Sequence, residues 1–129
     1  MFETKRISDC ADETAPDGSE VRLLLQCPGG SMAHFSLAAG KTSLSVVHRT
    51  VDELWYIVAG RGEMWRMCDG EESIVALHKG VCLSIPARVA FQFKTLGIEP
   101  VEAIAVTMPP WAGNDEAQRV TGCKQWNNV

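Results

Sequence analysis

Apolar and polar residues alternate along most of this chain with the two-residue period of β-strands, and turn-forming residues cut the alternation into short runs. The runs Val21–Cys27, Ser31–Leu37, Ser43–His48, Glu53–Val58, Glu63–Cys68, Ser73–Leu77, Val81–Ile85, Ala90–Lys94 and Val101–Met108 all read as strands. Between them stand Pro28-Gly29-Gly30, Ala39-Gly40-Lys41, Ala59-Gly60-Arg61-Gly62, Asp69-Gly70, Lys79-Gly80 and the stretch from Gly97 to Pro100. A turn about every ten residues is the signature of a sandwich or closed barrel of short strands. Asp69-Gly70 predicts a type I′ hairpin, because both residue types tolerate positive φ. No run carries helical periodicity, and Asn114–Val120 offers at most one helical turn. Strands alternating with helices are absent, which excludes a doubly wound α/β fold. The pattern predicts an all-β domain.

A chain of 129 residues suits one domain. It divides into a polar arm over residues 1–19, a barrel over 20–108 and a tail over 109–129. The tail carries Trp111 and Trp126, whose rings are costly to leave in water, so it is expected to pack on the barrel or on a partner subunit. The formal charge of −4 argues against nucleic acid and against an anionic membrane surface, since both need clustered Lys and Arg. No run is apolar for long enough to span a bilayer, and residues 1–20 lack the apolar stretch of a signal peptide. The five cysteines form no CxxC pair and read as free thiols in a reducing compartment, so a cytoplasmic protein is expected.

One spacing stands out. Gly40 is followed by five residues, Val46-Val47-His48, four residues, Glu53, six residues and Gly60. Farther on, Gly80 is followed by five residues and Pro86, with Arg88, Phe91 and Thr95 downstream. The first pattern resembles the leading motif of the cupin superfamily: glycine, His-x-His, glutamate and glycine at these intervals, with Val46 here in place of the first histidine. The second resembles the family's later motif, but Arg88 stands for glycine, Phe91 for histidine and Thr95 for asparagine. The phrases ELWYIVAGRGEMWR and VTMPPWAGNDEA are also similar to small single-domain bacterial cupins labelled by likeness to mannose-6-phosphate isomerases. The resemblance covers residues 21–117. It implies a jelly-roll, or double-stranded β-helix, barrel with a site inside, and tight turns at Gly40, Gly60 and Gly80 where a Cβ would clash. It is specific for fold rather than reaction.

Strand alternation puts Val46 and His48 on one face, Glu53, Trp55 and Ile57 on another, and Val89, Phe91 and Phe93 on a third. If the barrel closes as the resemblance implies, all three sets line its interior. His48 and Glu53 are then the candidate catalytic pair, with Val46, Trp55, Ile57, Phe91 and Phe93 as candidate ligand contacts. Family members hold a metal with three histidines and a glutamate. Here only His48 and Glu53 remain, short of the three ligands an open metal site needs, so no strong metal site and no cofactor is expected. The alternative is a metal-dependent isomerase or oxygenase using His48 and Glu53 with a further ligand such as His34 or His78. A glutamate among hydrocarbon either stays neutral and bonds His48, or forms a carboxylate–imidazolium pair. Either arrangement suits a protein that binds a small organic molecule, sugar- or carboxylate-like, with or without proton transfer.

Other polar residues give weaker signals. Residues 63–68 alternate so that Trp65 or Arg66 faces inward, and the sequence leaves that open. An inward Arg66 would bind an anion. Arg88 is either exposed or an anion hook at the barrel mouth, and Arg49 and Asp52 read as a solvated pair. The resemblance and the aromatic tail together predict a homodimer.

Overall fold

The structure, a computed structural model, describes residues 2–126; Met1 and Asn127–Val129, the extreme ends of the two arms, lie outside the described residues. It contains β1 (Glu13–Thr14), β2 (Glu20–Cys27), β3 (Gly30–Leu37), β4 (Val46–His48), β5 (Asp52–Ala59), β6 (Gly62–Cys68), β7 (Glu71–Leu77), β8 (Cys82–Ile85), β9 (Ala90–Thr95), β10 (Val101–Met108) and β11 (Ala117–Arg119). Every strand expected from the alternation forms, with the run Ser43–His48 shortened to Val46–His48. The short β1 and β11 are additions, and Asn114–Val120 makes a single 3₁₀ turn at Asn114–Glu116 before entering β11.

These strands build two antiparallel sheets, ordered β1-β2-β3-β10-β5-β8 and β11-β4-β9-β6-β7, in the jelly-roll arrangement. The register shows why alternation works. Ala33, Ala105 and Trp55 lie side by side across β3, β10 and β5 on the inner face, and Met32, Val106 and Leu54 form the adjacent row on the outer face. The inner faces enclose one core that includes Leu37, Ile57, Met64, Leu77, Ile85, Phe93 and Val101. At β6 it is Met64 that enters this core. Trp65 faces the other way and packs under the tail with Ala90, Cys123 and Trp126.

Asp69 and Gly70 both take positive φ, 51° and 81°, and form the expected hairpin turn between β6 and β7. Gly60 combines positive φ with crowding: a Cβ there would lie 2.1 Å from the Pro100 carbonyl oxygen. At Gly40 and Gly80 the expected clash is absent, and only the backbone conformation favours glycine. Both arms lie against the barrel. Lys5 Nζ donates to the Leu23 carbonyl, and Arg22 donates to the carbonyls of Ser8 and Asp9, which ties the acidic head to β2. In the tail, Lys94 Nζ sits 4.5 Å from the centre of the Trp126 ring, a cation–π contact within one chain.

Candidate functional site

A cavity of about 650 Å³ lies among the inner strand faces, the N-terminal arm and the start of the tail. Its lining includes Val46, His48, Glu53, Trp55 and Phe91, five of the seven residues singled out in the sequence. The reason is register. Val46 pairs with Phe91 across β4 and β9, while Glu53 pairs with Thr107 and Trp55 with Ala105 across β5 and β10. Ile57 and Phe93 share the same strand faces but lie outside the lining, in the packed core. Phe93 meets the Trp55 ring edge-on at 5.1 Å, so it supports the cavity's floor rather than touching its contents.

His48 and Glu53 are 4% and 2% exposed. His48 Nδ1 stands 3.4 Å from Glu53 Oε1, yet it makes no hydrogen bond and has no other partner. Trp55 Nε1–H donates to Glu53 Oε2, which leaves Oε1 as the oxygen facing the histidine. Burial pushes the Glu53 carboxyl up to about 8; the Trp55 bond pulls it down and the nearby Asp17 raises it further. Burial also lowers His48 to about 4, with Glu116 opposing the shift. Around neutral pH the pair is therefore an uncharged acid beside an uncharged imidazole, not a carboxylate–imidazolium pair.

Three residues that strand alternation does not single out complete the site. Trp111 meets the His48 ring edge-on at 5.1 Å, anchored by its backbone N–H to Ser31 Oγ at 2.9 Å. Phe35 stacks on Trp55 at 5.5 Å and 7°. Asp17 is buried on the cavity wall, where its Oδ1 accepts the Ser19 backbone N–H and hydroxyl, and burial raises its pKa. The Asp-x-Ser pattern is a turn signal visible in the sequence, but only the fold of the arm brings that turn to the cavity. The glutamate of the tail, Glu116, does other work. Glu116 accepts the Thr50 backbone N–H at 2.7 Å and fastens the segment after Trp111 to the turn that follows His48.

The resemblance implies a divalent metal, and the donors present do not fit one. Val46 and Phe91, both buried hydrocarbon, face His48 and Glu53 at two of the family's ligand positions. Among the described residues no group of three or more His, Cys, Asp or Glu side chains is placed to hold a metal. His34 cannot complete the set: it is on the outer face of β3, with Nε2 2.8 Å from Glu102 Oε1. His78 is exposed in the turn before Gly80. The arginines also stay out of the cavity. Arg66 lies on the same face of β6 as Met64, but its Nη1 donates to the Ser84 carbonyl beside a separate depression. Arg88 is exposed, and Asp52 accepts the Ala87 N–H at 2.9 Å instead of serving Arg49.

Comparison with known proteins agrees with this architecture. Residues 33–107 match the family model described as the cupin domain. An uncharacterized protein of Methanocaldococcus jannaschii is 30% identical over 105 residues, covering 77% of this chain and 80% of the relative. The capsular polysaccharide assembling protein CapF of Staphylococcus aureus superposes with a TM-score of 0.74 at 16% identity, over 91% of this chain and 35% of CapF. Oxalate decarboxylase of Bacillus subtilis, studied for its Mn(II) centres, gives 0.72 at 14% identity, over 87% of this chain and 30% of its own. An uncharacterized double-stranded β-helix protein of Klebsiella pneumoniae gives 0.71 at 16% identity, over 92% and 99%. The chain thus spans about a third of CapF and of the decarboxylase, and at these identities the likeness to solved structures is one of fold.

Proposed function

Because the chain belongs to the cupin family, whose barrels carry their sites inside, we propose that it binds a small organic molecule in the cavity, with His48 and Glu53 as the polar centre. One observation carries this reading. A cavity of about 650 Å³, the size of ordinary small-molecule sites, is lined by the buried pair His48 and Glu53 and by the rings of Phe35, Trp55, Phe91 and Trp111. Val46, Trp55, Phe91 and Trp111 supply apolar contact area, and Glu53 in its neutral form donates a hydrogen bond. A thermal-shift screen of metabolite-sized compounds tests the reading. A hit should stabilise wild type, and His48→Gln should weaken that response. If no compound shifts the protein, or the response ignores His48, the reading fails.

The neutral acid beside the neutral base favours a second reading, proton transfer on the bound molecule, with Glu53 as donor and His48 as acceptor. Product analysis on any hit separates an enzyme from a binding module. The same donor set supports a site that works without a resident divalent metal. One equivalent of tightly held metal in protein purified without chelator would restore the metal-dependent isomerase or oxygenase. The likeness to mannose-6-phosphate isomerase-like cupins rests on the two phrases around Glu53 and Trp111 and supports the sugar-binding version of this function.

The free cysteines support placement in the cytoplasm, and no helix among the described residues is long and apolar enough to cross a membrane. The tail tryptophans argue for a homodimer less than the sequence suggested, since Trp111 and Trp126 both pack within their own chain. Support for a second copy comes instead from the outer face of β3, β10 and β5, where half-exposed Met32, Leu54 and Tyr56 share rows with Val106 and Ile104. Light scattering should give twice the chain mass, and Leu54→Glu should return it to one; a monomeric wild type ends the dimer proposal.

A further inference from the structure

The charges around the cavity are one-sided. Its lining contains four carboxyl side chains, Glu3, Glu13, Asp17 and Glu53, against a single lysine and no arginine. The lysine is Lys5, on the exposed arm, and its ammonium is engaged by the Leu23 carbonyl at 2.7 Å. Two of the four acids, Asp17 and Glu53, are buried, and they come from different parts of the chain: the arm before β2, and β5. Around them stand the rings of Phe35, Trp55, Phe91 and Trp111.

We propose that this cavity selects an organic molecule bearing an amine cation, and rejects carboxylates and phosphates, because its interior sets Asp17 and Glu53 among aromatic walls with no buried Lys or Arg. The proposal rests on the ligand-binding reading above and departs from the sugar- or carboxylate-like class suggested by the sequence. Either carboxyl can neutralise an entering cation by releasing its own proton to solvent, and the ion pair that results lies in a poorly screened setting where attraction is strong. Aromatic rings add attraction for a desolvated organic cation. An anion finds no buried Lys or Arg to neutralise its charge. The one lining group that could become a buried cation is His48, and its burial opposes protonation.

Matched probes that differ only in the head group test the proposal: phenethylamine, phenethyl alcohol and phenylacetate, then tryptamine, tryptophol and indoleacetate, each titrated by calorimetry. The amine should bind at least about tenfold more tightly than the carboxylate in each set, with the alcohol between them. Glu53→Gln and Asp17→Asn should each narrow that ratio at least about threefold without lowering the melting temperature, whereas Glu102→Gln, on the outer face, should leave it unchanged. Two interior variants are needed because Asp17 also orders the Ser19 turn. A carboxylate that binds as tightly as its amine overturns this inference and leaves the cavity reading standing. So does a ratio unmoved by both interior variants. Failure of all six probes to bind also overturns this inference, and the metabolite screen then decides the cavity reading by itself.

Discussion

Replacing Glu53 by Gln should make the protein more stable at alkaline pH and change little at acid pH. The amide is nearly isosteric with the neutral carboxyl. Its oxygen can keep the Trp55 Nε1–H, and its nitrogen faces His48 Nδ1, so the variant copies the uncharged state that burial imposes on wild type. In the folded chain the carboxyl holds its proton up to about 8, against an ordinary value of 4.5. The folded state therefore binds more protons than the unfolded state between those limits. By linkage, the stability contributed by Glu53 is fully present below 4.5 and falls as pH rises towards 8. At ~1.4 kcal/mol per pH unit, the ceiling for the loss is ~5 kcal/mol. Relaxation and water entry lower such ceilings, so a gain of ~2–3 kcal/mol for the variant near pH 8 is expected. That is a large part of the ~5–15 kcal/mol that holds a domain together. His48 acts in the other direction: it stays neutral in the fold down to about 4, against 6.5 ordinarily, so its contribution is lost as pH falls through that range. Wild type should show a plateau between about pH 4.5 and 6.5, where the two slopes cancel, with decline on either side; Glu53→Gln should instead rise from about pH 4 to 6.5 and then stay level, with no alkaline decline. Urea denaturation at a series of pH values measures this. A variant equally displaced at every pH, or one less stable than wild type near pH 8, would refute the account of a strained, neutral Glu53.

Two further substitutions test the barrel's geometry. Arg88 occupies left-handed backbone, φ 73°, at the position where the family motif has glycine, and its own N–H still donates to the His48 carbonyl at 2.9 Å. Arg88→Gly should therefore stabilise the protein by about 0.5–1 kcal/mol in thermal unfolding, the relief of a left-handed L-residue exceeding glycine's added freedom in the unfolded chain; a loss of stability would mean that Arg88 makes contacts this reading omits. Val46→His with Phe91→His should weaken the apo protein, since each change removes hydrocarbon burial of ~1.5–3 kcal/mol, and should then confer stabilisation by Ni, Zn or Mn of ~2.7 kcal/mol at a hundred times the dissociation constant. A folded double variant that ignores all three ions would show that Val46, His48, Glu53 and Phe91 do not converge.

Much of this was legible because strand alternation and turn chemistry are local. Runs of five to eight residues between glycine-containing turns announce themselves, while β1 and β11, of two and three residues, are too short to show a period. The same parity rule found Val46, His48, Glu53, Trp55 and Phe91 but could not say how far along each strand the cavity extends, which is why Ile57 and Phe93 were grouped with them and lie in the core instead. It was silent on β6, where both faces carry apolar residues because the tail covers the outer one. Asp17 and Trp111 depend on where two irregular arms fold back, and no local period encodes that. Phe35 was within reach of the alternation, since it shares a face with Ser31 and Ala33, but nothing in the sequence tied β3 to the motif strands.

The central claim, that ligands enter beside His48 and Glu53, can be read from the indole N–H resonances of the four tryptophans in a nitrogen-edited spectrum. Trp55 and Trp111 line the cavity, with the Trp55 indole bonded to Glu53; Trp65 bonds Glu72 at 2.7 Å on the other side of the sheet, and Trp126 lies against Lys94. Any small molecule that stabilises the protein should move the Trp55 and Trp111 signals and leave those of Trp65 and Trp126 in place. A stabilising compound that moves only Trp65 or Trp126 would put the binding site elsewhere and contradict the account.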